Sequence, residues 1–137
     1  MILIACVDDD LGMMFNKRRQ SQDKILRTRI MEMTTGKKLW MNHYSAGQFS
    51  DNPKADINAD DAFLSDALPG EYCFIENTNP AQYEKWVEKI VLYKWNRRYP
   101  ADLRFDIPLA DHGWKLKQSS DFVGSSHEKI TEEVYEK

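Results

Sequence analysis

The sequence predicts an α/β protein with a mostly parallel central sheet, helices on both faces of that sheet, and an antiparallel hairpin at the C-terminus. Two observations support this fold class. Apolar segments typical of buried strands alternate with helical segments through the first part of the chain. The last segment, Ile130 to Glu136, instead alternates apolar and polar residues, as antiparallel strands with one exposed face do.

Length and composition restrict the class of protein. The 137 residues suffice for one domain with a hydrophobic core, and a hydrophobic content of 42% argues against disorder. A formal charge of −3 argues against a general affinity for polyanions. Cys6 and Cys73 lie in apolar strand-like segments, which favours free buried thiols over a disulfide. The N-terminus lacks the pattern of a signal peptide, so we expect a cytoplasmic protein without a membrane partner.

The N-terminal segment combines a strand with a cluster of carboxylates. Ile2 to Val7 is continuously apolar and predicts the first buried strand. Asp8 to Asp10 follow, but consecutive side chains on a strand point to opposite faces and do not converge on one ion. We therefore predict no metal site. Met13 to Gln20 shows neither helical nor strand periodicity, so we expect an exposed loop.

The first helix is predicted to begin near Asp23, with Ser21 as its N-cap and Gly36 at its end. Two interpretations of Asp23 remain open. An acidic residue in the first turn stabilises a helix through the helix dipole, and it can also pair with Arg27 one turn later. The alternative is a functional carboxylate placed where the preceding loop meets the helix.

The other predicted elements alternate between strands and helices until the final hairpin. In chain order they are a strand at Lys38 to Met41, a short helix at Tyr44 to Phe49, a loop at Ser50 to Ile57, a helix at Ala59 to Leu68, a strand at Glu71 to Ile75, a helix at Ala81 to Glu88, a strand at Ile90 to Trp95, and the closing strands Trp114 to Val123 and Ile130 to Glu136.

Residues at both ends of the chain match one family pattern. At the N-terminus an apolar strand ends in Val7-Asp8, and Gly12, Asn16 and Asp23 follow as turn, loop and helix start. The C-terminal match consists of Glu88 to Tyr93, Trp114 to Leu116 and Ile130 to Lys137. This succession resembles the dihydrofolate reductase family along nearly the whole chain. The resemblance implies the dihydrofolate reductase fold, formed as a single domain over residues 1–137.

The resemblance also implies a role for each matching residue. Asp23 would be the catalytic carboxylate that binds a pterin-like ring and assists its protonation, with NADPH supplying hydride. The implied substrate-binding residues are Val7, Asp8, Arg27 and Tyr93. The implied lid over substrate and nicotinamide includes Gly12, Met13, Asn16, Arg18 and Arg19. The implied cofactor-binding residues are Asn42, His43, Ser45, Glu76, Asn77 and Thr78.

Departures from the family pattern concentrate at the cofactor site. Glu76, Asn77 and Thr78 stand where consecutive glycines let the backbone approach the pyrophosphate at a helix N-terminus. Asn42 replaces another glycine, and His43 replaces an arginine that grips a cofactor phosphate. We therefore predict a divergent protein that binds a small heterocyclic or anionic ligand. NADPH-dependent reduction is expected only if the altered cofactor site still binds NADPH.

Two other functions remain open from the sequence. Cations from Lys17 to Arg29, and cations interleaved with aromatic residues from Lys94 to Tyr99, predict an RNA-binding or nucleotide-binding surface as the alternative. The last possibility is a non-catalytic scaffold, because a fold alone does not determine function. In that case an exposed final strand, Ile130 to Glu136, could pair between subunits and form a homodimer.

Overall fold

The computed structural model describes residues 1–50 and 57–137. Its helical elements within these ranges are α1 (Lys24–Met33), α2 (His43–Ala46), α3 (Phe63–Asp66) and the 3-10 helices Gly47–Phe49 and Ala81–Trp86. Its strands are β1 (Ile2–Val7), β2 (Gly12–Phe15), β3 (Arg18–Arg19), β4 (Leu39–Met41), β5 (Ile57–Ala59), β6 (Tyr72–Ile75), β7 (Lys89–Lys94), β8 (Leu103–Arg104), β9 (Lys115–Phe122) and β10 (Ile130–Glu136). No helix in the described ranges is long and apolar enough to cross a membrane.

Seven strands form the central sheet in the order β5-β4-β6-β1-β7-β10-β9. The first five run parallel, whereas β10 pairs antiparallel with both β7 and β9. The predicted fold class is therefore confirmed. Because the parallel strands point the same way, the residues that follow β1, β4 and β6 lie together at the carboxyl end of the sheet.

The sheet separates two hydrophobic clusters. Ile4 of β1 packs with Leu26 and Ile30 of α1 on one face. Leu3 packs with Phe63 of α3 on the opposite face. Since β1 is covered on both sides, its continuously apolar sequence is explained. Cys6 and Cys73 are free, as expected, although Cys6 is only half-buried.

The segment from Met13 to Gln20 is not the predicted loop. It forms a hairpin of β2 and β3, and β2 also pairs with β8. Asn16 and Lys17 form the two-residue turn with φ of 52° and 62°. Such positive φ angles match the twist of paired strands, and asparagine tolerates them well. We refer to this element as the hairpin.

Two predicted helices are shorter than expected. The Ala59 to Leu68 helix is reduced to α3, because β5 extends through Ala59 and the Asp60 side chain accepts the Ala62 N–H in a tight turn. The predicted helix from Ala81 onward is a 3-10 helix that ends at Trp86. Most of the predicted loop at Ser50 to Ile57 lies outside the described residues.

The final strand is not an exposed edge. β10 lies between β7 and β9, so the expectation that it could pair with a second subunit is wrong. The edge strand on this side of the sheet is β9, whose side chains are largely exposed and whose pairing with β10 shifts register between Val134 and Tyr135. Bulges and exposed lysines at a sheet edge hinder pairing with another chain. Strand pairing between subunits through β9 is therefore disfavoured, and a homodimer stays a prediction.

Candidate functional site

Polar side chains from three parallel strands meet under the hairpin. Asp8 follows β1, Asn42 follows β4, and Glu76 follows β6, and all three are buried. Ligands of open α/β sheets bind at the carboxyl ends of such strands. This carboxyl end of the sheet is therefore the candidate site, and the hairpin lies over it.

Asp8 shapes the turn that leads into the hairpin. One carboxylate oxygen accepts the N–H groups of Asp10 and Gly12, each at 2.8 Å. The other accepts the Gln20 side chain and the Tyr99 N–H, each at 3.1 Å. Although burial opposes ionisation, these hydrogen bonds hold the pKa of Asp8 below its ordinary value. Its oxygens are used by the chain itself, which indicates a structural role.

Asp23 is the N-cap of α1, a position that we assigned to Ser21 from the sequence. Its Oδ1 accepts the Leu26 N–H at 3.0 Å, and its Oδ2 accepts the Ser126 N–H at 2.7 Å and the Ser126 hydroxyl at 2.9 Å. Despite burial, these donors lower the pKa of Asp23 to about 2. The side chain is only 2% exposed. The loop between β9 and β10 thus covers the carboxylate that the family resemblance makes catalytic.

A partly buried chain of hydrogen bonds extends from Asp23. Ser126 Oγ lies 2.8 Å from His127 Nδ1, and His127 Nε2 lies 2.8 Å from the Tyr99 hydroxyl. The His127 ring also stacks on Trp95, with ring centroids 4.5 Å apart. Burial and the charge of Arg97 lower the pKa of His127, whereas Asp23 opposes this shift. We call Asp23, Ser126, His127 and Tyr99 the Asp23 cluster.

Gly124 permits the loop to approach Asp23. A Cβ atom at this position would collide with Asp23 Oδ2 and would lie 2.7 Å from Ile130 Cδ1. Any other residue would therefore push the loop away from the start of α1. The close approach explains how a loop from the far end of the chain comes to cover Asp23.

An ion pair fastens the hairpin to the strand ends. Arg19 Nε donates to Glu76 Oε2 at 2.9 Å, and Arg19 Nη2 donates to Glu76 Oε1 at 3.2 Å. The guanidinium also lies 4.4 Å from the centroid of the Tyr44 ring, and the Tyr44 hydroxyl accepts the Arg19 N–H at 3.1 Å. The two side chains are 21% and 9% exposed, so water screens the pair incompletely. Arg19, which was predicted in the lid, and Glu76, which was predicted in the cofactor site, thus form one ion pair.

The predicted cofactor-binding residues lie close together, but several of their polar groups bond to each other. Asn42 caps α2 by accepting the Ser45 N–H at 2.8 Å, and its amide nitrogen donates to Asn77 Oδ1. The Ser45 hydroxyl is buried without a hydrogen-bond partner among the described residues. His43 is exposed, and Asp61 Oδ1 accepts its backbone N–H at 3.0 Å. Thr78 is half-buried after Asn77.

The remaining predicted residues are spread more widely. Tyr93 lies in the core, with its ring 6.2 Å from that of Phe122, and burial raises the pKa of its hydroxyl. Val7 is buried in the cluster that includes α3, and Arg27 Nη1 donates to Gln22 at 3.4 Å. In the hairpin, Gly12 and Met13 are buried, whereas Asn16 and Arg18 are exposed.

A cleft of about 340 Å³ opens between the hairpin and the strand ends. Its lining combines apolar and polar side chains, namely Met14, Lys17, Asn77, Asp102 and Leu103. Asp102 Oδ2 accepts the Asn16 N–H at 3.0 Å and so supports the hairpin turn. We call this space the hairpin cleft. Sequence reasoning missed Asp102 and Leu103, because nothing local links them to a hairpin that lies more than eighty residues earlier.

The cations of the predicted RNA surface are partly engaged. Arg19 pairs with Glu76, and Arg29 Nη2 lies 3.3 Å from Glu132 Oε2. Both guanidinium groups also lie over aromatic rings. RNA binding stays a prediction. In the described part of the chain, no group of three or more His, Cys, Asp or Glu side chains is arranged to hold a metal ion.

Comparison with known proteins supports the fold but does not identify a function. No protein-family model matches the chain, and no curated protein matches its sequence. Among solved structures, the dihydrofolate reductase from Enterococcus faecalis, complexed with NADP(H) and RAB-propyl, superposes with a TM-score of 0.69. The match covers 98% of this chain and 94% of that chain, at 12% sequence identity. The expected dihydrofolate reductase-like fold is therefore confirmed.

Proposed function

We propose that this protein binds a small heterocyclic ligand in the hairpin cleft. The observation that carries the proposal is the cleft itself. Its volume of about 340 Å³ lies within the range of about 300–1,000 Å³ that is usual for small-molecule sites. It also lies at the carboxyl ends of parallel strands, where ligands of open α/β sheets bind.

The lining side chains suit a planar ring with polar substituents. Met14 and Leu103 offer apolar surface to the ring. Lys17 can donate to a carbonyl or carboxylate oxygen of the ligand, and Asp102 can accept hydrogen bonds from ring amino groups. Asn77 adds a further polar group at the strand end. The hairpin would then act as the cover, held over the strand ends by Arg19 and Glu76.

The described residues do not fit NADPH. Glu76 places a carboxylate, and Asn77 a side chain, where the family's glycines leave space for the pyrophosphate. The Asp23 carboxylate is covered by Ser126 and is not accessible to a substrate ring. The proposal therefore contains no hydride transfer. It assigns binding to the hairpin cleft and a structural role to Asp23.

Calorimetric titration with dihydrofolate, methotrexate and adenosine tests the proposal. We expect at least one of these rings to bind, and at a hundredfold excess over its Kd to stabilise the fold by about 2.7 kcal/mol. Lys17→Met should weaken that binding about tenfold, which corresponds to about 1.4 kcal/mol. Lys24→Met is the matched control, since Lys24 is exposed on α1 and does not line the cleft.

Two results would contradict this assignment. Failure of all three compounds to bind would remove its basis. Equal weakening by Lys17→Met and Lys24→Met would show a general charge effect rather than a contact in the hairpin cleft.

A further inference from the structure

Three carboxylates of the chain accept hydrogen bonds from groups that ordinarily bind anions. Glu76 takes the Arg19 guanidinium in a two-point contact at 2.9 and 3.2 Å. Asp61 accepts the His43 N–H at the start of α2, at 3.0 Å. Asp106 accepts the Ala81 N–H at the start of the following 3-10 helix, at 2.9 Å. All three contacts belong to segments that surround the candidate site.

Guanidinium groups and free N–H groups at helix starts are the usual partners of phosphate. Here each of these groups already has a negatively charged partner from the chain. His43 follows Asn42, which is bonded to Asn77 of the hairpin cleft, and Ala81 follows Asn77 by four residues. The carboxylates therefore occupy the groups that a phosphate would otherwise contact.

We infer that these carboxylates exclude phosphate groups, so that the ligand of the hairpin cleft is an unphosphorylated heterocycle. The nature of that ligand rests on the proposed function, whereas the exclusion of phosphate can be tested without it. Glu76 is the main determinant, because it is the most buried of the three and neutralises the guanidinium of Arg19.

The exclusion follows from what a phosphate would have to displace. To reach Arg19, a phosphate must separate the guanidinium from Glu76, whose side chain is only 9% exposed. The displaced carboxylate would remain poorly solvated and next to a second anion. Replacing Glu76 with glutamine removes the charge but preserves the shape and a hydrogen-bond acceptor for Arg19.

Pyrophosphate titration monitored by 31P NMR tests the exclusion. We expect no binding to the unaltered protein and at least tenfold tighter binding to Glu76→Gln. Asp61→Asn, at an exposed position that should not affect folding, should give a smaller gain. Glu132→Gln is the matched control, because it removes the carboxylate partner of Arg29 away from the site and should gain nothing.

Each other result would overturn the inference. Pyrophosphate binding to the unaltered protein would show that phosphate is not excluded. Equal binding by Glu76→Gln and Glu132→Gln, or no gain for both Glu76→Gln and Asp61→Asn, would show that these carboxylates are not the cause. Failure of dihydrofolate, methotrexate and adenosine to bind would instead contradict the proposed function and leave the pyrophosphate result standing.

Discussion

Asp23 and Glu76 are two buried carboxylates near the same edge of the sheet, yet their partners differ in kind. Asp23 is held by backbone N–H groups and a hydroxyl, which belong to α1 and to the loop after β9. Glu76 is held by the charged side chain of Arg19, at the base of the hairpin. The first arrangement fixes two parts of the fold to each other. The second joins the hairpin to the end of β6 through one side-chain pair.

A carboxylate can thus stand at the start of the first helix, as the sequence predicts, and still be hydrogen-bonded by the chain itself. In the family that the sequence resembles, the acidic residue at the start of the first helix faces the substrate. Here Asp23 Oδ2 accepts hydrogen bonds from Ser126, and Oδ1 accepts the Leu26 N–H. The hairpin cleft is lined by other residues, and Asp23 is not among them.

The largest expected effect is the loss of the Asp23 cluster. Asp23→Ala removes three hydrogen bonds to a buried charge, one of which caps α1, and should lower the free energy of unfolding by about 2–4 kcal/mol. Urea denaturation measures this change. Ser21→Ala is the control, and it should have little effect because Ser21 is not the cap. Similar losses for the two variants would contradict the structural role of Asp23.

Gly124→Ala should produce the next largest effect. The added methyl group would collide with Asp23 and crowd Ile130, which should cost about 1–3 kcal/mol of stability. Gly47→Ala is the matched control, because a Cβ atom there meets nothing within 4 Å. Thermal denaturation of both variants compares the two positions. Equal melting temperatures would show that the loop does not press against Asp23.

The pH dependence of stability separates the members of the cluster. Since the pKa of His127 is lowered in the fold, the unfolded chain takes up the proton first, and stability should fall as the pH drops below about 6.5. Asp23 also prefers its deprotonated form in the fold, but it titrates at lower pH. Its contribution is complete above its ordinary pKa of 3.8 and is lost as the pH falls through about 2.

Urea denaturation at pH 7.5 and pH 5.5 measures the smaller, histidine-dependent effect. His127→Gln should reduce the difference in unfolding free energy between the two conditions. An unchanged difference in His127→Gln would assign the pH dependence to other groups.

The parts of the fold that the sequence predicted are those determined by local pattern. β1 and β7 were recognisable because strands buried on both faces are continuously apolar. The hairpin was missed because its turn, Asn16-Lys17, lacks the glycine that usually marks a two-residue turn. In addition, β8, which pairs with β2 of the hairpin, lies far along the chain.

The site was predictable as a set of residues but not as a set of contacts. Arg19 and Glu76 were each singled out, yet their pairing depends on how the hairpin folds over β6. Ser21 and Asp23 are both good N-caps by residue type. Asp23, unlike Ser21, also accepts hydrogen bonds from Ser126. Ser126 lies more than a hundred residues later, and local sequence patterns do not connect it to α1.

Chemical-shift mapping of the backbone amides during a dihydrofolate titration tests the central claim most directly. We predict that the largest changes occur at Met14, Lys17, Asn77 and Leu103, around the hairpin cleft. The amides of Leu26 and Ser126, which donate to Asp23, should remain unchanged. Large changes at Leu26 and Ser126, with none around the hairpin cleft, would show that Asp23 opens to receive the ligand and would contradict the account.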